Sequence, residues 1–215
     1  MAAIALGGID ARPRCSWAQS APDYLAYHDE EWGRPVGEDS LVFERICLEG
    51  FQSGLSWITI LRKRAAFRRA FCDFDPSAVA EMGEAQIEAL LHETGIVRHR
   101  GKILATVHNA RATVRLQAAG RSLAELCWSY EPIPAPAPTQ VSQIPASTSE
   151  SVALALELRG LGFTFVGPVT VYSLMQSLGL VDDHLADCCI RPLVEQQRRM
   201  FRRPTGPRWP TRPGC

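Results

Sequence analysis

Two sulfurs and two imidazoles carry the first chemistry in this sequence. His184 and Cys188 are four apart in DHLADC, a spacing that puts both side chains on one face of a helical turn; Cys15 and His28 lie near the other end of the chain. Together they make a complete tetrahedral donor set for zinc, and a closed set of four leaves no position for water. Such a metal is structural, which argues against a metallohydrolase. It clips two distant segments together across a long loop, where chain entropy makes a clip most useful. Cys189 competes with Cys188, but the i+4 spacing favours Cys188. The plainer alternative is core thiols and ordinary histidines.

The second chemical feature is a lone carboxylate. Glu49 lies in LVFERICLEGFQSGLSW, among apolar and aromatic residues, followed by Gly50, Gly54 and Trp57. Phe43, Ile46, Cys47, Gly50 and Gly54 recur at helical spacing, and Glu49 falls at the edge of that face. A carboxylate there is costly unless paired or hydrogen-bonded. Either it leans into solvent, or it forms the floor of a pocket with Trp57 as a stacking wall.

The elements that must position these groups read as helices, and no convincing alternating strand appears, so the fold class is all-α. The segment 41–75 is central, with a break or kink near Gly50–Gly54. Asp75-Pro76 is a cap and a first-turn proline. Ser122 and Glu125 form a capping-box pair, Gly120 ends a long helix that starts near Lys102, and Ser149 is read as the cap of a helix through Arg159. Gly160 to Gly167 is a glycine-bearing hairpin between two helices, the second opened by Pro168. Backbone amides at such a hairpin can hold a phosphate without base contacts. Residues 14–32 are dense in aromatics, with Trp17, Tyr24, Tyr27 and Trp32.

At 215 residues and 46% hydrophobic, the chain has enough apolar material for a real core. No apolar run reaches membrane-spanning length, and the N-terminus lacks a secretory pattern. Seven cysteines is an odd count, which fits reduced thiols or metal ligands and a cytoplasmic protein. Net charge is zero. Bases concentrate in 61–130 and after 190, however, so a polyanion partner is not excluded. Residues 1–13 read as a flexible leader, 14–190 as the helical domain, and 191–215 as a basic, Pro/Arg-rich, disordered tail.

The stretches RCSWAQSAPDYLAYHDEEWGRP, FERICLEGFQSGLSWITILRKR, ETGIVRHRGKI, SQIPASTSES and GFTFVGPVTVYSLMQSLGLVDDH strongly resemble the DNA-3-methyladenine glycosylase I family, in order and from about Arg14 to Cys189. The resemblance implies an all-helical, two-lobed fold of the helix-hairpin-helix glycosylase type. It implies monofunctional excision of 3-methyladenine from alkylated double-stranded DNA by a monomeric, bacterial-type, nucleoid-associated enzyme with one structural zinc. By the same resemblance the zinc ligands are Cys15, His28, His184 and Cys188. Glu49 is the ionised pocket carboxylate, Tyr27 and Trp57 contact or stack on the base, and Tyr24 and Trp17 lie nearby. Gln52, Gly54 and Leu55 fill the gap left by the extruded nucleotide, while the hairpin at Gly162 and Gly167 grips the backbone. One departure stands out: where the family typically has Asn, this chain has Asp182. A helix N-cap beside a zinc ligand is the reading adopted for it, with no essential catalytic role. A helical protein that captures flipped bases without cleaving them is the competing class.

Overall fold

A computed structural model describes residues 12–204, and among these no strand occurs. The helices are α1 (Pro22–Glu30), α2 (Asp39–Gln52), α3 (Trp57–Ala70), α4 (Pro76–Ala80), α5 (Glu84–His92), α6 (Arg100–Ala118), α7 (Leu123–Trp128), α8 (Ser149–Gly160), α9 (Pro168–Leu178) and α10 (Arg191–Met200). Short 3-10 turns at Ser16–Ser20, Cys72–Phe74 and Val141–Gln143 link them.

Helix α2 crosses the centre. It is buried almost all round from Val42 to Phe51, as expected of a helix without a polar face. It packs against α9, α6, α3 and α7. Its first-turn carboxylate, Asp39, accepts from Ser122 Oγ at 2.6 Å and from the Ala124 amide at 2.9 Å, which pins the start of α7 to the start of α2. Beneath it, Phe51, Phe67, Phe71 and Phe74 form a continuous run of ring contacts.

The bend falls at Ser53–Ser56, where Gly54 takes φ +78°. Gly50 does not break α2, contrary to the sequence expectation. It stays helical, and a Cβ there would touch Cβ of Phe165 at 3.4 Å, so its smallness serves the close approach of the hairpin. Asp75 caps α4 through the Ser77 amide at 2.8 Å, and the Ser122–Glu125 capping box is formed. The cap of α8 is Thr148 with Ser151, not Ser149, which already lies in the first turn.

Packing separates into two cores. The larger gathers α2, α6, α7, α8 and α9. A smaller one brings Cys15, Tyr27 and Trp32 from the beginning of the chain against Cys188, Ile190 and Val194 from its end. Pro13 carbonyl accepts the Cys189 amide at 2.9 Å, so the two segments also meet backbone to backbone.

The expected disordered tail is corrected over 191–204. Residues 191–200 are helical because their bases find acceptors and their apolar residues find cores. Val194 is fully buried, Arg198 and Arg203 both bind Glu131, and Phe201 lies on Trp128 with ring centroids 4.8 Å apart. The rest of that tail, 205–215, and the leader 1–11 lie outside the described residues.

Candidate functional site

Helix α1 carries two neighbouring residues with different surroundings, Tyr27 and His28. His28 is fully buried. Its Nδ1 lies 2.7 Å from Asp29 Oδ1, and Asp29 is braced by the Arg14 guanidinium at 2.9 Å. That carboxylate fixes the ring so that Nε2 faces Cys188 Sγ at 3.6 Å. Ligand atoms of Cys15, His28 and Cys188 all lie within 4.8 Å of one another, and all three residues are buried. The hydrogen bond between the two sulfurs lowers the Cys188 thiol from its ordinary range and pushes that of Cys15 up.

His184 completes the picture. It too is fully buried, its Nδ1 lies 2.9 Å from Asp182 Oδ1, and its ring centroid is 4.7 Å from that of His28. Its Nε2 has no hydrogen-bond partner among the described residues. His184 stands outside the three-residue cluster of ligand atoms, but an orphaned buried nitrogen next to the His28 ring suits a fourth donor, so the chemistry of the residues present fits a zinc ion. The segment holding His184 and Cys188 is a succession of turns, not a helical turn: its polar backbone is used locally, Cys188 amide to Leu185 carbonyl at 2.9 Å. Asp182 is correspondingly not a helix N-cap. It accepts from the His184 amide and orients the His184 ring.

Tyr27 turns towards Trp57 at the start of α3, ring centroids 5.3 Å apart at 48°. Glu49 lies within the same buried environment, 4% exposed. Its Oε2 and the Trp57 indole Nε1 are buried without hydrogen-bond partners among the described residues. Burial raises the Glu49 carboxyl to about 8, against a smaller opposing pull from Arg45 one turn earlier on α2. In the protein alone burial thus favours the protonated form of the group, and a cation brought beside it would favour the ionised form. Burial, with the Glu49 charge second, also raises the Tyr27 phenol. A carboxyl, an indole N–H and two aromatic faces with unspent polar capacity form a recognition surface for a flat, polar-edged, cationic ring.

The other sequence candidates take flanking positions. The Tyr24 hydroxyl accepts the Ile58 amide at 3.0 Å, satisfying one of the free donors at the start of α3 and so seating Trp57. Trp17 stands edge-on to Tyr24, His28 and Trp32. Gln52 ends α2, and Gly54 and Leu55 lie on the loop to α3, where Leu55 is 42% exposed, an apolar tip offered to solvent. Gly162, at φ +95°, and Gly167, the N-cap residue of α9, bracket the hairpin turn. Asp29 and Arg14, which steer His28, escaped the sequence reading, although a carboxylate adjacent to a candidate ligand was a usable signal. A separate cavity of about 880 Å³ lies between the Pro-rich connector and α10, lined by Glu131, Asp182 and Arg198; Glu49, Tyr27 and Trp57 do not line it.

Comparisons with known proteins give the family. Residues 17–191 match the family model described as methyladenine glycosylase. The chain is 48% identical to DNA-3-methyladenine glycosylase 1 of Escherichia coli over 182 residues, covering 83% of this chain and 97% of that one. It is 44% identical to DNA-3-methyladenine glycosylase of Haemophilus influenzae, covering 81% and 96%. Among solved structures, a 3-methyladenine DNA glycosylase I superposes with TM-score 0.80 at 47% identity, covering 82% and 98%. The Staphylococcus aureus enzyme, solved to explain its 3-methyladenine recognition, superposes with TM-score 0.79 at 36% identity, covering 83% and 96%. With this family model matched over residues 17–191 and nearly the full length of these relatives covered, the chain belongs to the methyladenine glycosylase family.

Proposed function

We propose that this protein hydrolyses the N-glycosidic bond of 3-methyladenine in alkylated double-stranded DNA, releasing the free base and leaving the backbone uncut. The observation that supports it most directly is the buried Glu49 carboxyl, unpartnered, in the pocket of Tyr27 and Trp57. A base inside a duplex cannot reach such a pocket, so the nucleotide must swing out at a cost of a few kcal/mol. Stacking on Tyr27 and Trp57 returns about 1–3 kcal/mol per contact. The methylated base carries a positive charge, which an indole face and a carboxylate prefer to neutral adenine.

The same charge does most of the chemistry. As the bond from the sugar to the base breaks, its electron pair neutralises the cationic ring, leaving an oxocarbenium-like sugar. Water adds to that carbon and loses a proton to solvent. The leaving group needs no protonation, so Glu49 acts by hydrogen bonding and charge. Entry of the cation draws its carboxyl to the ionised form and expels a proton. Leu55, Gly54 and Gln52 occupy the vacated stack, and the backbone amides around Gly162 and Gly167 hold a phosphate.

Cys15, His28, His184 and Cys188 would hold a zinc ion that supplies no reaction step and would fix α1 to the turn ahead of α10. Asp29 and Asp182 hold the two imidazoles in register for it. Asp182 Oδ1 is engaged with His184, while its Oδ2 is buried without a hydrogen-bond partner among the described residues; we assign Asp182 a positioning role and no essential part in bond cleavage.

The test is release of free bases from methylated duplex DNA, resolved by chromatography, with wild type beside Glu49→Gln. Release of 3-methyladenine by the wild type and a fall in the variant support the reading. A folded wild type that binds alkylated or abasic duplex tightly yet frees no base would replace it with the non-cleaving binder.

A further inference from the structure

Helix α6 lies behind the DNA-facing loops and touches both. At its first turn Lys102 is buried, and its ammonium donates to the Phe51 carbonyl at 2.8 Å and the Ser53 carbonyl at 2.5 Å. Both acceptors belong to the last turn of α2 and the start of the 53–56 loop. A lysine from another helix thus caps the negative end of α2, on carbonyls that have no intrahelical donor. Burial lowers the Lys102 ammonium from its usual range, and no carboxylate partner is recorded for it among the described residues, so the loop carbonyls are its compensation.

Seven residues on, about 10 Å along the same face, Asn109 does the equivalent for the hairpin. It is buried, its Nδ2 donates to the Thr164 carbonyl at 3.2 Å, and its Oδ1 accepts the Thr164 amide at 2.8 Å. This two-way bond fixes the hairpin backbone midway between Gly162 and Gly167. The next residue, Phe165, holds a left-handed backbone at φ +56° and closes on Gly50 of α2, edge-on to His99. A left-handed phenylalanine persists only where its surroundings impose it.

We infer that α6 is a spacer that sets the distance between the Gln52–Leu55 loop and the hairpin, with Lys102 and Asn109 as the positioning residues at its two attachment points. The inference rests on the base-excision reading. On that reading the loop enters the stack while the hairpin holds the backbone, and both must engage one strand at a fixed separation. The polar partners of both residues are backbone groups of the loop and the hairpin, not Glu49. Their task is to keep two contact elements in register during extrusion, so their loss falls on the duplex and not on the pocket.

Lys102→Met and Asn109→Ala separate that role from general scaffolding. Each variant is compared with wild type for affinity to free 3-methyladenine, for single-turnover excision from methylated duplex, and for the fluorescence of 2-aminopurine placed opposite an abasic analogue, which reports loop insertion. Free-base affinity is expected to stay within about twofold of wild type. Excision is expected to fall about tenfold or more, the scale of one lost hydrogen bond to a charged group, with the 2-aminopurine signal reduced in parallel. Lys102→Arg, which keeps donors on the loop, recovers part of the loss. Because either lesion already releases one end of the spacer, the double variant should lose little beyond the worse single. Unchanged excision, a normal 2-aminopurine signal, or loss of free-base binding in both variants overturns the inference. A wild type that neither binds nor releases 3-methyladenine instead fells the excision reading itself.

Discussion

Nε2 of His28 lies 3.6 Å from Sγ of Cys188, and this contact joins α1 to the turn ahead of α10. Since Tyr27 precedes His28, the Tyr27–Trp57 ring contact shares whatever order the cysteine–histidine cluster gives α1. On the base-excision reading proposed above, the stacking faces are thus tied to a cluster that takes no part in the reaction.

Cys188→Ala should abolish stoichiometric zinc and lower stability by several kcal/mol, since a structural metal's binding energy is folding energy. Metal content by mass spectrometry and thermal denaturation check it. A variant that keeps its melting temperature without metal would show that the site is a thiol core and nothing more.

Glu49→Gln should slow base release about tenfold to a hundredfold, the worth of a hydrogen bond to a charged partner. The substitution also has a stability signature. With its carboxyl raised from 4.5 to about 8, Glu49 favours the folded state fully below pH 4.5, and that contribution is lost as pH rises to about 8. Wild type should therefore lose stability relative to Glu49→Gln across that window, measured by urea denaturation at several pH values. Parallel curves would place the carboxylate in solvent.

Binding should carry the matching proton count. Capture of a cationic base ionises Glu49, so affinity for alkylated duplex should rise with pH up to about 8 and then level, with a proton released on binding. Calorimetry in buffers of different ionisation enthalpy measures that release; its absence in wild type, or its persistence in Glu49→Gln, contradicts the assignment.

Trp57→Ala removes one stacking face and should weaken free-base affinity by about 1–3 kcal/mol. Leu55→Ala should leave that affinity and the melting temperature unchanged, because Leu55 is half out of the fold, while slowing excision from duplex. Equilibrium titration with the free base beside duplex kinetics distinguishes the two sites; equal effects on both readouts would merge them.

Much of this was readable from the sequence because the chemistry lies in the residue types. Two cysteines and two histidines are a donor set wherever they fall, and the caps at Asp75 and Ser122 are local patterns that the fold keeps. Glu49 was ambiguous by pattern, since the edge of a helix face does not say what covers it; α1 and α3 do, from elsewhere in the chain. Helix α10 was hidden by its composition: a run of arginines reads as disorder until Glu131, far away in sequence, is brought beneath it. Lys102 looked like one more base in a basic turn, and only the end of α2, packed across from it, gives it a task.

The bond between Pro13 and Cys189, with the small core around it, has a consequence for synthesis. A growing chain makes Cys15, Tyr27 and Trp32 well before Cys188, Ile190 and Val194, so the small core closes only once that later segment has been translated. A polypeptide released between Trp57 and Cys188 should expose the apolar faces of Tyr27 and Trp32 that the later segment covers.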